Sequence, residues 1–200
     1  MKEILISRLR DKNTSIADFR EATEKLGFLL AGEVFSFLKQ NSYVLKTPLS
    51  QTEGVELSRP TTLVPILRSG FALLPPFLKF FPKARVGFVG MRRDEKTAEP
   101  HQYYHNLPHL LKEEDVLILE PMIATGGSGL ACIRQLLEAG AKEEQILFIG
   151  IIAAPIGIKV INDCFPKVKI HIAQIDQKLN AQKFILPGLG DFGDRYFGTG

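Results

Sequence analysis

The chain has 200 residues, of which 45% are hydrophobic and 24% are charged, which is enough apolar material for one globular domain with a sizeable core. The formal net charge is only +3 and the basic residues are scattered along the chain, which argues against a nucleic-acid-binding face. The longest apolar stretch, residues 146–158, is too short and too often interrupted by glycine and proline to span a membrane, and the charged N-terminus is unlike a secretory signal.

The first predicted element is a long amphipathic helix that begins after Ser15 and continues to about residue 39. Ser15 and Asp18 have the spacing of a capping box, and apolar side chains then recur at helical intervals. Gly27 and Gly32 would allow another element to pack closely against this helix. Residues 41–60 are polar and predict turns.

A βαβ pattern begins near residue 61. An apolar strand at residues 62–67 precedes a turn at residues 68–70, an apolar segment and a second strand at residues 85–90. The prolines at 75 and 76 predict that the intervening helix is short or kinked. The polar residues 92–108 that follow are long enough to form a functional arm rather than a plain connection.

The stretch at residues 116–130 combines a buried strand at residues 116–119, a carboxylate at Glu120 and a small-residue turn before a helix at residues 130–139. Glycines in such a turn accept positive φ and expose backbone N–H groups, and a helix N-terminus attracts anions, so we predict a phosphate site at residues 124–129. An ordinary turn capped by Ser128 or Thr125 is the alternative. The local sequence excludes a P-loop and a dinucleotide fingerprint.

Strands at residues 146–153 and 168–175, joined by a turn at residues 155–157 and a short helix, complete the alternation. We therefore predict an α/β fold with a mainly parallel twisted sheet flanked by helices. Ligands bind beyond the carboxyl ends of the strands in such sheets. The segments predicted there are Arg68, Arg92-Arg93-Asp94, residues 120–129, residues 155–157 and Asp176.

Two arginine loops beside a phosphate site predict a ligand with more than one phosphate, because guanidinium groups bind phosphate oxygens in pairs. Taken singly, each arginine is better explained as a solvated surface charge. The glycine-rich C-terminal segment, residues 184–200, would let the backbone approach a flat heterocycle, with a turn-rich strand pairing as the alternative.

Metal and disulfide chemistry have little support in the sequence. Three histidines fall within nine residues, but prolines interrupt their spacing, so we predict a solvated loop for His101, His105 and His109. His171 alternates with apolar residues and is predicted to be a hydrogen-bonded structural histidine. Cys132 and Cys164 lie in apolar helical patterns, which argues against a disulfide framework and favours a reducing cytoplasm.

Four motifs together resemble the uracil phosphoribosyltransferase family, in order as well as in spacing. They are V-P-I-L-R-S-G at residues 64–70, R-R-D-E-K-T-A-E-P-H-Q-Y-Y at 92–104, E-P-M-I-A-T-G-G-S at 120–128 and P-G-L-G-D-F-G-D-R-Y-F-G-T at 187–199. The resemblance begins at about residue 8 and continues to the C-terminus. It implies a single phosphoribosyltransferase domain over residues 1–200, with the arm at 92–108 and a base-binding segment at 184–200.

By this resemblance, the protein transfers ribose 5-phosphate from phosphoribosyl pyrophosphate to N1 of uracil and forms UMP and pyrophosphate, with Mg²⁺ carried mainly by the donor and no metal-ligating residue assigned. The catalytic residues implied are Arg68, Arg93 and Asp191. The donor-binding residues implied are Arg68, Arg93, Glu120, Pro121, Met122, Ile123, Ala124, Thr125, Gly126, Gly127, Ser128 and Asp191. The uracil-binding residues implied are Ile185, Gly190, Asp191 and Phe192.

Within these sets, the backbone of residues 125–128 would hold the 5′-phosphate, Glu120 would face the ribose hydroxyls, and Arg68 and Arg93 would hold pyrophosphate. The family pattern has Asp where this chain has Glu120, a polar residue where it has Ile156, and a smoother helix where it has two prolines. A homodimer or higher homo-oligomer, and GTP as an effector, are further implications. An RNA-binding pyrimidine regulator or a non-catalytic nucleotide sensor on the same fold is the alternative function.

Overall fold

Helices and strands alternate along most of the chain in the computed structural model, which describes residues 1–93 and 100–200. The helices are α1 (Lys2–Arg10), α2 (Ile16–Val34), α3 (Leu74–Phe80), α4 (Gly127–Glu138), α5 (Pro155–Cys164) and α6 (Phe192–Phe197). The strands are β1 (Gln40–Lys46), β2 (Gln51–Leu57), β3 (Thr61–Leu67), β4 (Arg85–Val86), β5 (Phe88–Arg93), β6 (Pro100–Asn106), β7 (Asp115–Leu119), β8 (Met122–Ile123), β9 (Ile146–Ala153), β10 (Lys169–Ile175), β11 (Lys178–Leu179) and β12 (Ile185–Leu186).

The central sheet has the strand order β10-β9-β7-β3-β5-β6. Every neighbouring pair on this path is parallel except β5 and β6, which are antiparallel. The short strands β4 and β8 add parallel pairing to β3 and β9. The predicted mainly parallel sheet is therefore confirmed, and its carboxyl ends lie along one edge.

Hydrophobic clusters cover both faces of this sheet, as an α/β fold requires. One cluster joins the sheet to α1, α2, α3 and α6 and includes the fully buried side chains of Phe19, Leu26 and Phe77. The other joins it to α4 and α5 through Ile133 and Ile161. Strands β7 and β9 are buried along their whole length, which explains their unbroken apolar sequences.

The predicted start of α2 and its close packing are confirmed. The Ser15 hydroxyl accepts a hydrogen bond from the backbone N–H of Asp18 at 3.1 Å, which satisfies one free donor of the first turn. A Cβ on Gly27 would lie 2.8 Å from Cγ of Pro76, so glycine lets α3 approach α2. Gly32 has ordinary clearance, because its Cβ would lie 3.7 Å from the ring of Phe80.

The N-terminal part of the fold differs from the prediction in three ways. A separate helix, α1, precedes α2, and α2 ends at Val34 with a short 3₁₀ turn at Phe35–Phe37 rather than at residue 39. The polar stretch at residues 41–60 is mainly a hairpin, with β1 antiparallel to β2. Nearly all of its side chains are exposed, so the sequence shows no apolar alternation that would reveal strands.

Two segments that were predicted to be turns belong partly or wholly to helices instead. Helix α4 begins at Gly127, three residues earlier than expected, and its N-cap is Gly126 rather than Ser128 or Thr125. Residues 155–157 open α5, because proline fits the first helical position, where its missing N–H is not needed.

His101 and His105 lie on β6 rather than in a loop. In the described ranges, no helix is both long enough and apolar enough to cross a membrane.

Candidate active site

A cavity of about 880 Å³ lies at the carboxyl ends of the sheet strands. The loop after β3, the end of β5, the loop after β7 and the C-terminal segment all contribute to its wall. Its polar and glycine residues are Arg68, Ser69, Arg92, Tyr103, Glu120, Thr125, Gly126, Gly127, Ser128, Gly129, Lys183, Gly190, Asp191, Gly193 and Asp194. The position is the one that the predicted topology assigns to a ligand.

The glycine-rich loop forms one end of this cavity and leads into α4. Gly126 has φ of +84°, which glycine adopts without strain, and its carbonyl accepts the first intrahelical hydrogen bond from Leu130 N–H at 2.9 Å. The N–H groups of residues 127–129 precede that bond and belong to the positive end of the helix. The loop can therefore donate several backbone hydrogen bonds to one phosphate.

The first turn of α5 supports the glycine-rich loop from behind. A Cβ on Gly157 would lie 2.4 Å from the carbonyl oxygen of Ala124, and one on Gly126 would lie 2.7 Å from the carbonyl oxygen of Gly157. These backbones touch only because neither residue has a side chain. Residues 155–157 thus fix the shape of the loop, although they do not line the cavity.

Glu120 follows β7 and is buried at the cavity wall, with 8% of its surface exposed. Its Oε1 accepts a hydrogen bond from the Ser69 hydroxyl at 2.7 Å, and its carboxylate also accepts one from the backbone N–H of Met122. Burial, together with the nearby negative charge of Asp191, raises the pKa of Glu120 to about 7, although the two hydrogen bonds favour ionisation. The carboxyl group can therefore change charge near neutral pH.

Arg68 stands between the strand ends and the C-terminal segment. Its side chain is 57% exposed and its Nη2 lies 3.5 Å from Oδ1 of Asp194. The guanidinium carbon also lies 5.7 Å from the ring centroid of Phe197. Because the contact with Asp194 is long and exposed, an anionic ligand in the cavity can compete for this guanidinium group.

The C-terminal segment forms one wall of the cavity. Gly190 has φ of +83°, and Asp191 caps α6 by accepting the Asp194 N–H at 2.9 Å. Ile185 and Phe192 also line the cavity, although they are almost fully buried, at 3% and 1% exposure. Phe192 packs against Phe19 with ring centroids 5.3 Å apart.

The structure brings together nearly all of the predicted site residues that it describes. Pro121 is an exception, because it does not line the cavity. It is buried, and its carbonyl oxygen accepts hydrogen bonds from the N–H groups of Ile151 and Ile152 at 2.9 Å. Arg93 ends β5, but its side chain lies outside the described residues, as do residues 94–99 of the arm. The described flanks of the arm, β5 and β6, form an antiparallel pair.

Some cavity residues were missed by the sequence reasoning, and one candidate lies elsewhere. Ser69 adjoins the predicted Arg68, so its position in the motif was the available signal, whereas Arg92 lines the cavity as its predicted place at a strand end implies. Lys183 also lines the cavity, and its φ of +66° could not be predicted, because a lysine rarely adopts a positive φ. Asp176 lies at the end of β10 but forms an ion pair with Arg10.

The predicted structural histidine is confirmed, since His171 Nε2 lies 2.9 Å from Oε2 of Glu33. Cys132 is buried and Cys164 exposed, and both are free thiols. Among the described residues, no group of three or more histidine, cysteine, aspartate or glutamate side chains is arranged to hold a metal ion.

Comparison with solved structures places the fold among the phosphoribosyltransferases. The adenine phosphoribosyl transferase of Trypanosoma brucei superposes with a TM-score of 0.56 at 14% identity, covering 80% of this chain and 67% of that one. A protein from Aquifex aeolicus superposes with a TM-score of 0.90 at 35% identity, covering 99% of this chain and 94% of that one.

The sequence comparisons are more specific. The model of the uracil phosphoribosyltransferase family matches residues 2–199. The uracil phosphoribosyltransferases of Bacillus thuringiensis (strain Al Hakam) and Bacillus mycoides (strain KBAB4) are each 44% identical over 195 residues, which is 97% of this chain and 92% of theirs. The chain belongs to the uracil phosphoribosyltransferase family, which confirms the resemblance found in the sequence.

Proposed function

We propose that this chain transfers ribose 5-phosphate from phosphoribosyl pyrophosphate to N1 of uracil, with UMP and pyrophosphate as products. The observation that carries the proposal is one cavity in which a backbone anion site, a buried carboxylate, an arginine and a glycine-rich C-terminal segment converge, in a chain of this family. The volume of about 880 Å³ is sufficient for both substrates.

The donor end of the cavity is assigned from the loop after β7. The N–H groups of residues 127–129 bind the 5′-phosphate, since they point from the N-terminus of α4. Glu120, which accepts a hydrogen bond from Ser69 at 2.7 Å, also accepts hydrogen bonds from the ribose hydroxyls. Arg68 binds pyrophosphate, and by the family motif Arg93 is its second contact.

The base end is assigned to the C-terminal segment. The backbone groups of Ile185, Gly190 and Phe192 pair with the donors and acceptors of uracil, as the family resemblance implies, and all three residues line the cavity. Asp191 lies between the base and the donor. A pyrimidine fits this arrangement because its edge alternates carbonyl acceptors and N–H donors, which backbone groups complement.

The reaction breaks the bond between C1′ of ribose and pyrophosphate while N1 of uracil forms the new bond and loses its proton. Positive charge develops on the ribose as the leaving group departs, so Arg68 contributes by stabilising the negative charge on pyrophosphate. The carboxylates of Glu120 and Asp191 face the same cavity and favour the cationic ribose. Holding both substrates in one orientation supplies much of the remaining acceleration.

Mg²⁺ is proposed to enter with the donor. This ion is usually bound through one or two carboxylates together with substrate phosphates, and Asp191 and Asp194 both line the cavity, so the residues present fit such an ion. The bound ion would neutralise charge on the pyrophosphate. No general base and no fixed metal ligand are assigned to the chain.

Several broader features are part of the same proposal. Residues 1–200 would act as one phosphoribosyltransferase domain, with the arm at 92–108 and the base-binding segment at 184–200. Two free thiols, Cys132 and Cys164, support a cytoplasmic location. Assembly as a homodimer or higher homo-oligomer, and GTP as an effector, are proposed from the family resemblance. The comparisons do not favour the RNA-binding regulator or the non-catalytic sensor.

The direct test is to incubate the purified chain with uracil, phosphoribosyl pyrophosphate and Mg²⁺ and to separate the products by chromatography. UMP and pyrophosphate should form in equal amounts, while cytosine and adenine in place of uracil should give no nucleotide. Tight UMP binding without turnover would contradict the proposed enzymatic function and would support the non-catalytic nucleotide sensor.

A further inference from the structure

The backbone just before the base-binding glycine is held by an ion pair that the proposed reaction does not use. Arg10, in the last turn of α1, donates from Nη1 to the carbonyl oxygen of Gly188 and to Oδ2 of Asp176, both at 2.8 Å. Its Nη2 bonds the other oxygen of Asp176. Asp176 in turn accepts the N–H of Gly188 at 2.7 Å. One ion pair therefore binds both polar backbone groups of Gly188.

A second arginine holds the next residue. Arg195, on α6, donates from Nη1 to the carbonyl oxygens of Leu189, at 2.7 Å, and Leu9, and from Nη2 to that of Asp11 at 2.6 Å. Its guanidinium carbon lies 4.5 Å from the ring centroid of Phe19. The C-terminal end of α1 is thus joined to the base-binding segment through three carbonyl groups.

These contacts matter because glycines occupy two of the three positions from 188 to 190. Gly188 and Gly190 have φ of +64° and +83°, and, chain neighbours apart, the Arg195 side chain is the only described group within 4 Å of a Cβ on Gly190, at 3.5 Å. Glycine loses more conformational freedom on ordering than any other residue, so backbone groups offered to a ligand here need support from outside. The Asp176 side chain is 3% exposed, so its ion pair is well shielded from water.

The charges at this position are consistent with a permanent ion pair. Burial acts to raise the pKa of Asp176, but the hydrogen bonds from Arg10 and from the Gly188 N–H outweigh it and hold that pKa below its ordinary value. The guanidinium fork also matches a carboxylate and a carbonyl better than an ammonium group can.

We propose that Arg10 and Arg195 are positioning residues for the base end of the cavity, because they fix the backbone of residues 188–190 and thereby set the affinity for the pyrimidine rather than for the phosphoribosyl donor. The proposal rests on the proposed function. Neither arginine lines the cavity. Their effect passes through Gly188 and Leu189 to the adjoining Gly190, which does.

The test is steady-state kinetics of Arg10→Gln, with uracil and phosphoribosyl pyrophosphate varied separately. Arg8→Gln is the matched control, since Arg8 is an exposed arginine on the same helix. Arg10→Gln should raise KM for uracil at least about tenfold, as expected for a small displacement of a binding group, and leave KM for the donor within about twofold. Arg8→Gln should change neither constant.

A second variant covers the case in which Arg10→Gln does not fold. Asp176→Asn keeps an oxygen for the Gly188 N–H but removes the negative charge that orients Arg10, and it should show the same selective rise in KM for uracil. Unchanged constants, or equal rises for both substrates, in an active variant would overturn the positioning role. If the unaltered chain forms no UMP, the proposed function fails instead, so the two failures are distinguishable.

Discussion

Replacing Glu120 with glutamine tests the electrostatics of the site, because the variant keeps the shape of the side chain and removes its charge. Burial raises the pKa of Glu120 from 4.5 to about 7. At about 1.4 kcal/mol per pKa unit, ionising this buried group costs the folded state about 3 kcal/mol. Glutamine carries no such cost and can still accept the hydrogen bond from Ser69.

The sign of the effect follows from proton binding. A carboxyl group whose pKa is higher in the folded state than in the unfolded state binds more protons when folded. The unfolding free energy of the unaltered chain should therefore fall as the pH rises from about 4.5 to 7, and the loss should be complete above about 7. Relative to it, Glu120→Gln should gain stability between pH 5 and pH 8, by about 2.5 kcal/mol.

The assay is urea denaturation of both proteins at the two pH values, followed by circular dichroism. Comparing the difference between proteins at pH 8 with that at pH 5 cancels any constant change in packing or hydrogen bonding. Glu138→Gln, at an exposed position on α4, controls for the loss of one negative charge. If the advantage of Glu120→Gln does not grow with pH, the argument that burial raises this pKa is refuted.

Three further predictions concern the loop, the arginines and the fold. Gly157→Ala should raise KM for the donor, because its Cβ would meet the glycine-rich loop at 2.4 Å, whereas Gly32→Ala, with ordinary clearance, should not. Arg93→Ala should lower turnover far more than Arg92→Ala in the UMP assay, and equal losses would argue against the pyrophosphate assignment. Glu114→Ala should lower the free energy of unfolding by about 3 kcal/mol in urea denaturation, since it removes the fully buried carboxylate that pairs with Arg85, whose side chain is 35% exposed; a loss below about 1 kcal/mol would contradict this.

The sheet was predictable because its strands are short runs of β-branched and aliphatic residues separated by turn residues. Strands β7 and β9, buried on both faces, give the clearest signal. The hairpin of β1 and β2 was missed because exposed strands need no apolar alternation. The start of α4 was misplaced because its N-cap, Gly126, stabilises the helix through its backbone conformation and not through a capping side chain.

The site was predictable where chemistry depends on residue type and order. A turn rich in glycine before a helix indicates an anion site, and the structure places that turn in the cavity. The hydrogen bond between Ser69 and Glu120 and the ion pair between Arg10 and Asp176 were not predictable from the sequence. Their partners are far apart in the chain, by 51 positions in the first case and 166 in the second. The raised pKa of Glu120 likewise arises from burial, which exists only once the chain has folded.

A crystal structure of the chain with UMP tests both ends of the proposed site at once, because the product carries both the phosphate and the base. The phosphate should accept hydrogen bonds from the N–H groups of residues 127–129, and uracil should lie against the backbone of residues 190–192. A phosphate bound away from the glycine-rich loop, or a base that does not contact the C-terminal segment, would contradict it.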